Sequence, residues 1–327
     1  MELDLRLVRY FVAVADQLHF GRAAAQLFVS QPALSKQIRK LESQLGETLL
    51  VRDSRHVALT ARGQQFLDDA RRLLALADTM AQPARPAGVS IAHVFELSTS
   101  RLVADAFAEA EPDTPLREHA MDSITQLGAL LHGRLDVAIL RVTPRMQVAQ
   151  PTGWRHRLLR LEPLVFVGVG DDDRWQTASF HDRTVHVFGD PPGSGTYNAH
   201  GQYLTALQDR LGIEMRWLGT PGAFSSCVAH VQRAPRSIRY LEFLSYAEKY
   251  VDLGMRMAWP EEIQPYYPWS LAWRTDDVAA TTTRLIDVAV GLAEERAWPA
   301  LDQHGTSTPA WMPDDEPVWR ELAPGRG

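Results

Sequence analysis

Gln31, Ser35, Lys36 and Arg39 fall on one face of a helical repeat, and each carries groups that hydrogen-bond base edges or phosphate oxygens. They belong to the run FGRAAAQLFVSQPALSKQIRKLESQLG, from Phe20 to Gly46. Ala33, Leu34, Ile38, Leu41 and Leu45 form its apolar face at a period of 3.6 residues. Ser30 is placed to cap the helix, and Pro32 stands where a missing N–H costs nothing. Just ahead, Ala23, Ala24 and Leu27 give a first helix small enough to be crossed closely, with a turn at 28–30 between the two. The arrangement predicts a helix-turn-helix whose second helix presents its polar amino-terminal end to a DNA major groove.

The elements that must hold this pair lie on either side. Leu5 to Gln17 is amphipathic and should pack behind it, with Leu7, Val8, Phe11, Val12, Val14 and Ala15 inward. Two short extended pieces, about 49–52 and 56–59, predict a two-stranded wing with Arg52 and Arg55 at the tip, suited to the DNA backbone or minor groove. A long helix then runs from about Thr60 to Gln82. Its stripe of Phe66, Leu67, Ala70, Leu73, Leu74 and Ala77 is read as a dimer seam, because a lone helix between domains has no core to cover it. Packing of the stripe on the first helix of the same chain is the alternative. Pro83, Pro86 and Gly88 must end the helix.

Ala23, Ala24, Ser30, Gln31, Pro32, Ala33, Ser35, Leu41, Glu42, Leu45, Gly46, Leu59, Thr60 and Gly63 together resemble the amino-terminal domain of LysR-type transcriptional regulators, and the likeness extends more loosely to about residue 300. The resemblance implies a multi-domain α/β protein: a winged helix-turn-helix at 1–60, a linker and dimerisation helix at 61–87, and an effector domain of the periplasmic-binding-protein type at 88–300. Its two subdomains would be 88–161 with 268–300, and 162–267. It also implies double-stranded DNA, a small-molecule effector and a homodimer or tetramer as partners, no cofactor, and DNA contacts at Arg22, Ser30, Gln31, Pro32, Ser35, Lys36, Arg39, Arg52 and Arg55.

Beyond Val89 the pattern itself becomes strands alternating with helices. Val89, Ile91, Phe95 and Leu97 read as a strand, followed by a helix at 101–109, a strand at 116–120, a helix at 124–132 and a strand at 135–140. A second series starts near Pro163, and the chain returns near Trp269 with a closing helix at 281–297. Such a double series predicts two parallel-sheet subdomains joined by crossing strands, with a ligand cleft at the strand ends. Ser98, Thr99, Ser100 and Ser123 are the expected effector contacts on one side, and the loop residues Gly195, Thr196 and Tyr197 on the other; the ligand would be polar or anionic, held without a dedicated cationic cage.

Residues 222–252 depart from the family's glycine-rich pattern, and Arg233, Arg236 and Arg239 there could face an acidic ligand or another subunit. Residues 301–327, with Trp311 and Trp319, read as a tail beyond the family's usual end, docked on the surface or disordered.

The net charge of −6 is unevenly spread: residues 1–60 carry +2, so the remainder carries −8. Attraction to phosphates is therefore local to the first domain. Charged residues make up 23% and hydrophobic ones 45%, a balance that predicts a soluble protein, and the absence of a signal or spanning segment predicts the cytoplasm and no membrane partner. One cysteine, Cys227, excludes an internal disulfide. A redox regulator or thiol enzyme built on Cys227 and His230, and a solute-binding protein of the same fold, are the rival readings; a buried structural thiol is preferred. His181, His186 and His200 lack metal-ligand spacing, so no metal is expected and the protein is read as a regulator, not an enzyme.

Overall fold

A computed structural model describes residues 4–17, 19–27, 29–52, 57–81, 87–94, 97–150, 152–170, 176–181, 184–191, 198–220, 223–276, 278–301 and 308–322. The chain forms two compact units, residues 1–85 and 86–327. In the first, α1 (Leu5–Gln17), α2 (Phe20–Gln26) and α3 (Gln31–Leu45) precede a hairpin of β1 (Leu50–Arg52) and β2 (Val57–Leu59), and α4 (Ala61–Ala81) follows. Leu7, Val8, Phe11 and Val14 of α1 meet Ala23 and Ala24 of α2 and Leu34, Ile38 and Leu41 of α3 in one core.

The sequence expectation for α4 needs correction here. Phe66, Leu67, Ala70 and Leu74 are buried within the chain, in the same core as α1, and the rings of Phe11 and Phe66 meet edge to face at 5.2 Å. The helix does have an internal partner, since these four side chains complete the core around Phe11 of α1. Leu73 and Ala77 are left half-buried.

The second unit begins with β3 (Val89–His93), α5 (Ser98–Ala110), β4 (Leu116–Ala120), α6 (Ser123–Leu131), β5 (Val137–Leu140) and α7 (Pro144–Ala149). Strand β3 ends at His93, short of the expected Leu97, which instead precedes α5 as its cap. Then come β6 (Trp154–Gly168), β7 (Thr177–Ala178), β8 (Val185–Val187), α8 (Ala199–Leu211), β9 (Met215–Trp217), α9 (Phe224–Arg233), β10 (Arg239–Phe243), α10 (Leu244–Asp252), β11 (Arg256–Pro260), β12 (Gln264–Arg274), α11 (Ala280–Glu295), β13 (Ala310–Trp311) and α12 (Trp319–Leu322).

Strands run in the order β4-β3-β5-β12-β6-β10-β8-β9. β3, β4 and β5 are mutually parallel, as are β8, β9 and β10, so each subdomain is a parallel sheet with helices. VAIL of β5 and VHV of β8 are wholly buried, the continuous apolar runs that sheets covered on both faces require. The antiparallel pair β6 and β12 joins the two. β12 pairs with β5 at one end, and β6 continues past Pro163 to pair with β10 and β11. The segment 222–252 supplies α9, β10 and α10, packed on β6 through Cys227, Val231, Tyr240, Leu244 and Tyr250.

The described part of the tail, 308–322, is ordered and returns to the crossing strands. Ala310–Trp311 pairs in parallel with Gln264–Pro265, Met312 and Val318 pack with Leu158, Leu161 and Tyr266, and the Trp319 indole donates to the Pro313 carbonyl at 2.9 Å. Two tryptophans and two aliphatic side chains outweigh the prolines and acids that make the segment look disordered.

Candidate DNA interface and effector cleft

The start of α3 is fixed by its own sequence. Ser30 is extended and its hydroxyl accepts the Ala33 N–H at 3.4 Å, Pro32 lies in the first turn, and Gly46 ends the helix with φ of 69°. Leu34, Ile38 and Leu41 are buried, whereas Gln31, Pro32, Ala33, Lys36, Arg39 and Lys40 are exposed and Ser35 and Gln37 half-buried. The helix thus presents amide, ammonium and guanidinium groups along the face opposite its core. Arg39 donates to the Ser35 carbonyl at 3.4 Å and Arg22 to the Gln17 carbonyl at 2.8 Å. Each keeps further N–H groups for another acceptor. The wing is tied to α3 by Glu42, whose Oε1 accepts the N–H groups of Leu49 and Leu50 at 3.0 and 3.1 Å. Thr60 locks its far end: its hydroxyl donates to the Thr48 carbonyl and accepts the Gly63 N–H, both at 2.8 Å. The Arg52 side chain and Arg55 lie outside the described residues.

The cleft of the second unit gathers polar groups at the carboxyl ends of β3 and β5. Thr99 and Ser100, in the first turn of α5, are buried. The Thr99 hydroxyl accepts from Arg160 Nη1 at 2.9 Å, and Arg160 in turn lies 3.6 Å from the buried Glu162 and over the Trp298 ring. Ser100 is committed to its own turn, donating to the Leu97 carbonyl at 2.6 Å; Ser98 is half-buried. Ser123 accepts the backbone N–H of Arg141 at 3.2 Å. Asp122, not Ser123, caps α6 by accepting the N–H groups of Ile124 and Thr125, so these amides are not open to a ligand. Gly195, Thr196 and Tyr197 lie outside the described residues.

Arg141, the residue after β5, is 3% exposed and lies beside Ser123, to whose hydroxyl its backbone N–H donates. Its Nη1 donates to the Ala199 carbonyl of α8 at 2.6 Å, and its guanidinium lies 5.3 and 5.6 Å from the ring centres of Tyr203 and Tyr267. Burial works against the charge, but Glu316, Tyr267 and Tyr203 hold its pKa above the usual arginine value. The neighbouring His200 is neutral at physiological pH: burial, and then Arg141, lower its pKa to about 4. The sequence expectation named no cationic group here, yet Arg141 and Arg160 bring two guanidinium groups to the site, each beside a carboxylate, Glu316 and Glu162 respectively. Topology brings the two arginines together: β5 and β6 each pair with β12 and deliver both to the same end of the sheet.

The profile of the family described as "Bacterial regulatory helix-turn-helix protein, lysR family" matches residues 5–64. The HTH-type transcriptional regulator IlvR of Caulobacter vibrioides is 30% identical over 302 residues, covering 87% of this chain and 96% of that protein. The chain belongs to the LysR family. TfdT of Cupriavidus pinatubonensis, another HTH-type transcriptional regulator, is 31% identical over 231 residues, 60% of this chain and 99% of TfdT. The match to YnfL of Escherichia coli, 42% identical over 174 residues, spans half of this chain and 57% of YnfL. Among solved structures, full-length BenM shares the fold at a TM-score of 0.51 and 22% identity, over 90% of this chain and 98% of BenM. Full-length OxyR from Pseudomonas aeruginosa does so at 0.51 and 19%, over 90% and 95%.

As a LysR-type protein the chain is a DNA-binding transcriptional regulator, and its relatives are regulators rather than enzymes. Other sequence expectations fare unevenly. Arg239 is half-buried, donates to the Ser179 carbonyl at 3.3 Å and lies over Phe166. Arg233 lines a surface hollow of about 590 Å³ with His186, Arg216 and His230. Cys227 is buried in α9 among apolar side chains. Among the described residues no helix is long and apolar enough to cross a membrane. Arg141 and Glu316 were missed, although an arginine directly after an all-apolar strand is a signal for the carboxyl end of a parallel sheet.

Proposed function

We propose that this LysR-type regulator reads operator DNA with the amino-terminal face of α3 and that a small polar or anionic effector in the cleft of its second unit modulates that reading. Gln31, Ser35 and Lys36 contact base edges or adjacent phosphates, while Arg22, Arg39, Arg52 and Arg55 bind the backbone. Ser30 and Pro32 set the helix start against the groove. The observation that carries this reading is the division of α3: one face buries Leu34, Ile38 and Leu41 in the core, and the other exposes Gln31, Lys36, Arg39 and Lys40 to solvent. Residues 1–60 are the reader, 61–87 the linker, 88–300 the effector domain and 301–327 an appended segment. The protein acts as a dimer or tetramer in the cytoplasm, with Leu73 and Ala77 at the seam.

Ser98, Thr99 and Ser123 line the effector site on the α5 and α6 side, and Gly195, Thr196 and Tyr197 add contacts from the second subdomain. A ligand there changes operator affinity only to the extent that it prefers one arrangement of the two subdomains. The test is selection of duplexes from a random pool by the full-length protein, followed by binding at several salt concentrations. A selected site bound at least a thousandfold more tightly than random DNA, with affinity falling steeply in salt, is the expected result. Absence of affinity for any duplex at moderate salt sinks the assignment.

A further inference from the structure

Glu316 puts a carboxylate from the tail onto Arg141 from a position 175 residues away in sequence. Glu316 is 2% exposed, and its Oε2 accepts from both Nη2 and Nε of Arg141, at 2.5 and 3.2 Å. Its other oxygen, Oε1, is buried without a hydrogen-bond partner among the described residues. The tail therefore brings the right charge in an incomplete geometry, since a guanidinium fork and a carboxylate are matched for two parallel hydrogen bonds. The other groups that Arg141 meets among the described residues are neutral: the Ser123 hydroxyl, the Ala199 carbonyl and the faces of Tyr203 and Tyr267. Ser123 belongs to the first subdomain and Ala199 to the second, so a carboxylate on Arg141 sits where both meet. The strand that anchors the tail, β13, is two residues long.

We propose that Arg141 is the carboxylate-binding centre of the effector cleft and that Glu316 is the chain's own occupant of it. The effector is a small carboxylate that takes Arg141 by displacing the tail. This rests on the reading of the cleft as the effector site and adds the ligand class and a built-in competitor. A ligand free of the tail's backbone can use both oxygens. It can then set one oxygen on each of the two N–H groups and bury no carboxylate oxygen without a partner, as Glu316 buries Oε1.

Glu316→Ala removes a CH2–COO⁻ group, which acetate replaces atom for atom. In the full-length protein this variant leaves a buried guanidinium without its counter-charge and should melt on the order of 10 °C lower than the parent. Sodium acetate should then raise its melting temperature saturably by about 2–4 °C or more, whereas sodium chloride at equal ionic strength and acetamide should not. The parent, with Glu316 in place, should respond to acetate no more than to chloride. An acetate response in Glu316→Ala no larger than that to chloride overturns the proposal.

Should Glu316→Ala fail to fold, Glu316→Gln keeps the volume and drops the charge. Benzoate should bind it at least tenfold more tightly than it binds the parent, and benzamide should bind neither; equal benzoate affinities, or none, overturn the proposal. Amide hydrogen exchange across 310–322 is the second readout in the parent. Benzoate at saturating concentration should accelerate it, and bound benzoate with unchanged exchange there shows that the tail is a fixed strut. Operator binding separates this proposal from the reading beneath it. Acetate rescue of stability with operator affinity indifferent to carboxylates keeps Arg141 as the binding centre and removes the cleft from regulation. An effector whose action depends on Thr99 but not on Glu316 or Arg141 removes this proposal alone.

Discussion

At the scale of single residues, two side chains carry predictions that ordinary packing would not give. Gln31 is exposed in the first turn of α3 and its Oε1 lies 3.5 Å from where a Cβ at Gly21 would stand, so the amide is near the junction of the two helices. Gln31→Ala should cost about 1–3 kcal/mol on a selected operator and leave random DNA nearly unchanged. An equal loss on both, measured by fluorescence anisotropy, reassigns Gln31 to a phosphate. Glu242, inside β10, is raised to about 8 by burial, against which the Tyr250 hydroxyl bond at 3.2 Å works in the opposite direction. Because its folded pKa exceeds the unfolded one, its contribution to stability is fully present below about pH 4.5 and is lost as pH rises through about 8. Glu242→Gln should remove this loss, worth on the order of a few kcal/mol. Urea midpoints at pH 5, 7 and 9 test it: parent and variant falling in parallel would mean that Glu242 does not titrate in this window.

At the scale of elements, the hinge between wing and α4 is the most demanding piece of local geometry in the first unit. A Cβ at Gly63 would lie 2.0 Å from the Leu49 carbonyl oxygen, which also accepts the Thr60 N–H at 3.0 Å. Gly63→Ala must push wing and helix apart. It should destabilise the first unit by about 3 kcal/mol and weaken DNA binding without altering the second unit's melting. Calorimetry showing an unchanged first transition would mean the hinge relaxes freely. On α4, Leu74 is in the core shared with α1, so Leu74→Asp should unfold the first unit rather than split a dimer. Leu73, half-buried, separates the two roles: Leu73→Asp should leave helicity intact and shift sedimentation toward monomer. A dimer that persists in Leu73→Asp places the seam elsewhere.

For the whole molecule, the issue is how a ligand in one unit reaches a DNA reader in the other. Within the second unit, Arg141 reaches from the first subdomain to the Ala199 carbonyl of the second, while its bond to Ser123 and that of Thr99 to Arg160 on the crossing strand β6 brace the first. Thr99→Val removes the acceptor of Arg160 Nη1 at nearly constant volume. It should weaken effector affinity about tenfold or more while ligand-free operator binding stays within twofold of the parent. Titration of the parent and of Thr99→Val with an effector identified by a thermal-shift screen of small molecules decides the matter, and an unchanged affinity would take Thr99 out of the site.

Features that depend on near neighbours in the chain were legible from the amino acids alone. The limits of α3 follow from Ser30, Pro32 and Gly46, the parallel sheets from runs such as VAIL, and the alternation of strand and helix from period and breakers. Which surfaces cover one another was not legible in this way. Apolar spacing marks the stripe on α4 as something to bury without saying against what, and α1 took part of it. The tail's composition suits disorder or docking equally until the crossing strands supply a surface for Trp311, Met312 and Val318. Arg141 and Glu316 are the extreme case. A buried ion pair is stable only when folding removes water from both partners at one point, and a separation of 175 residues leaves no local trace of that encounter.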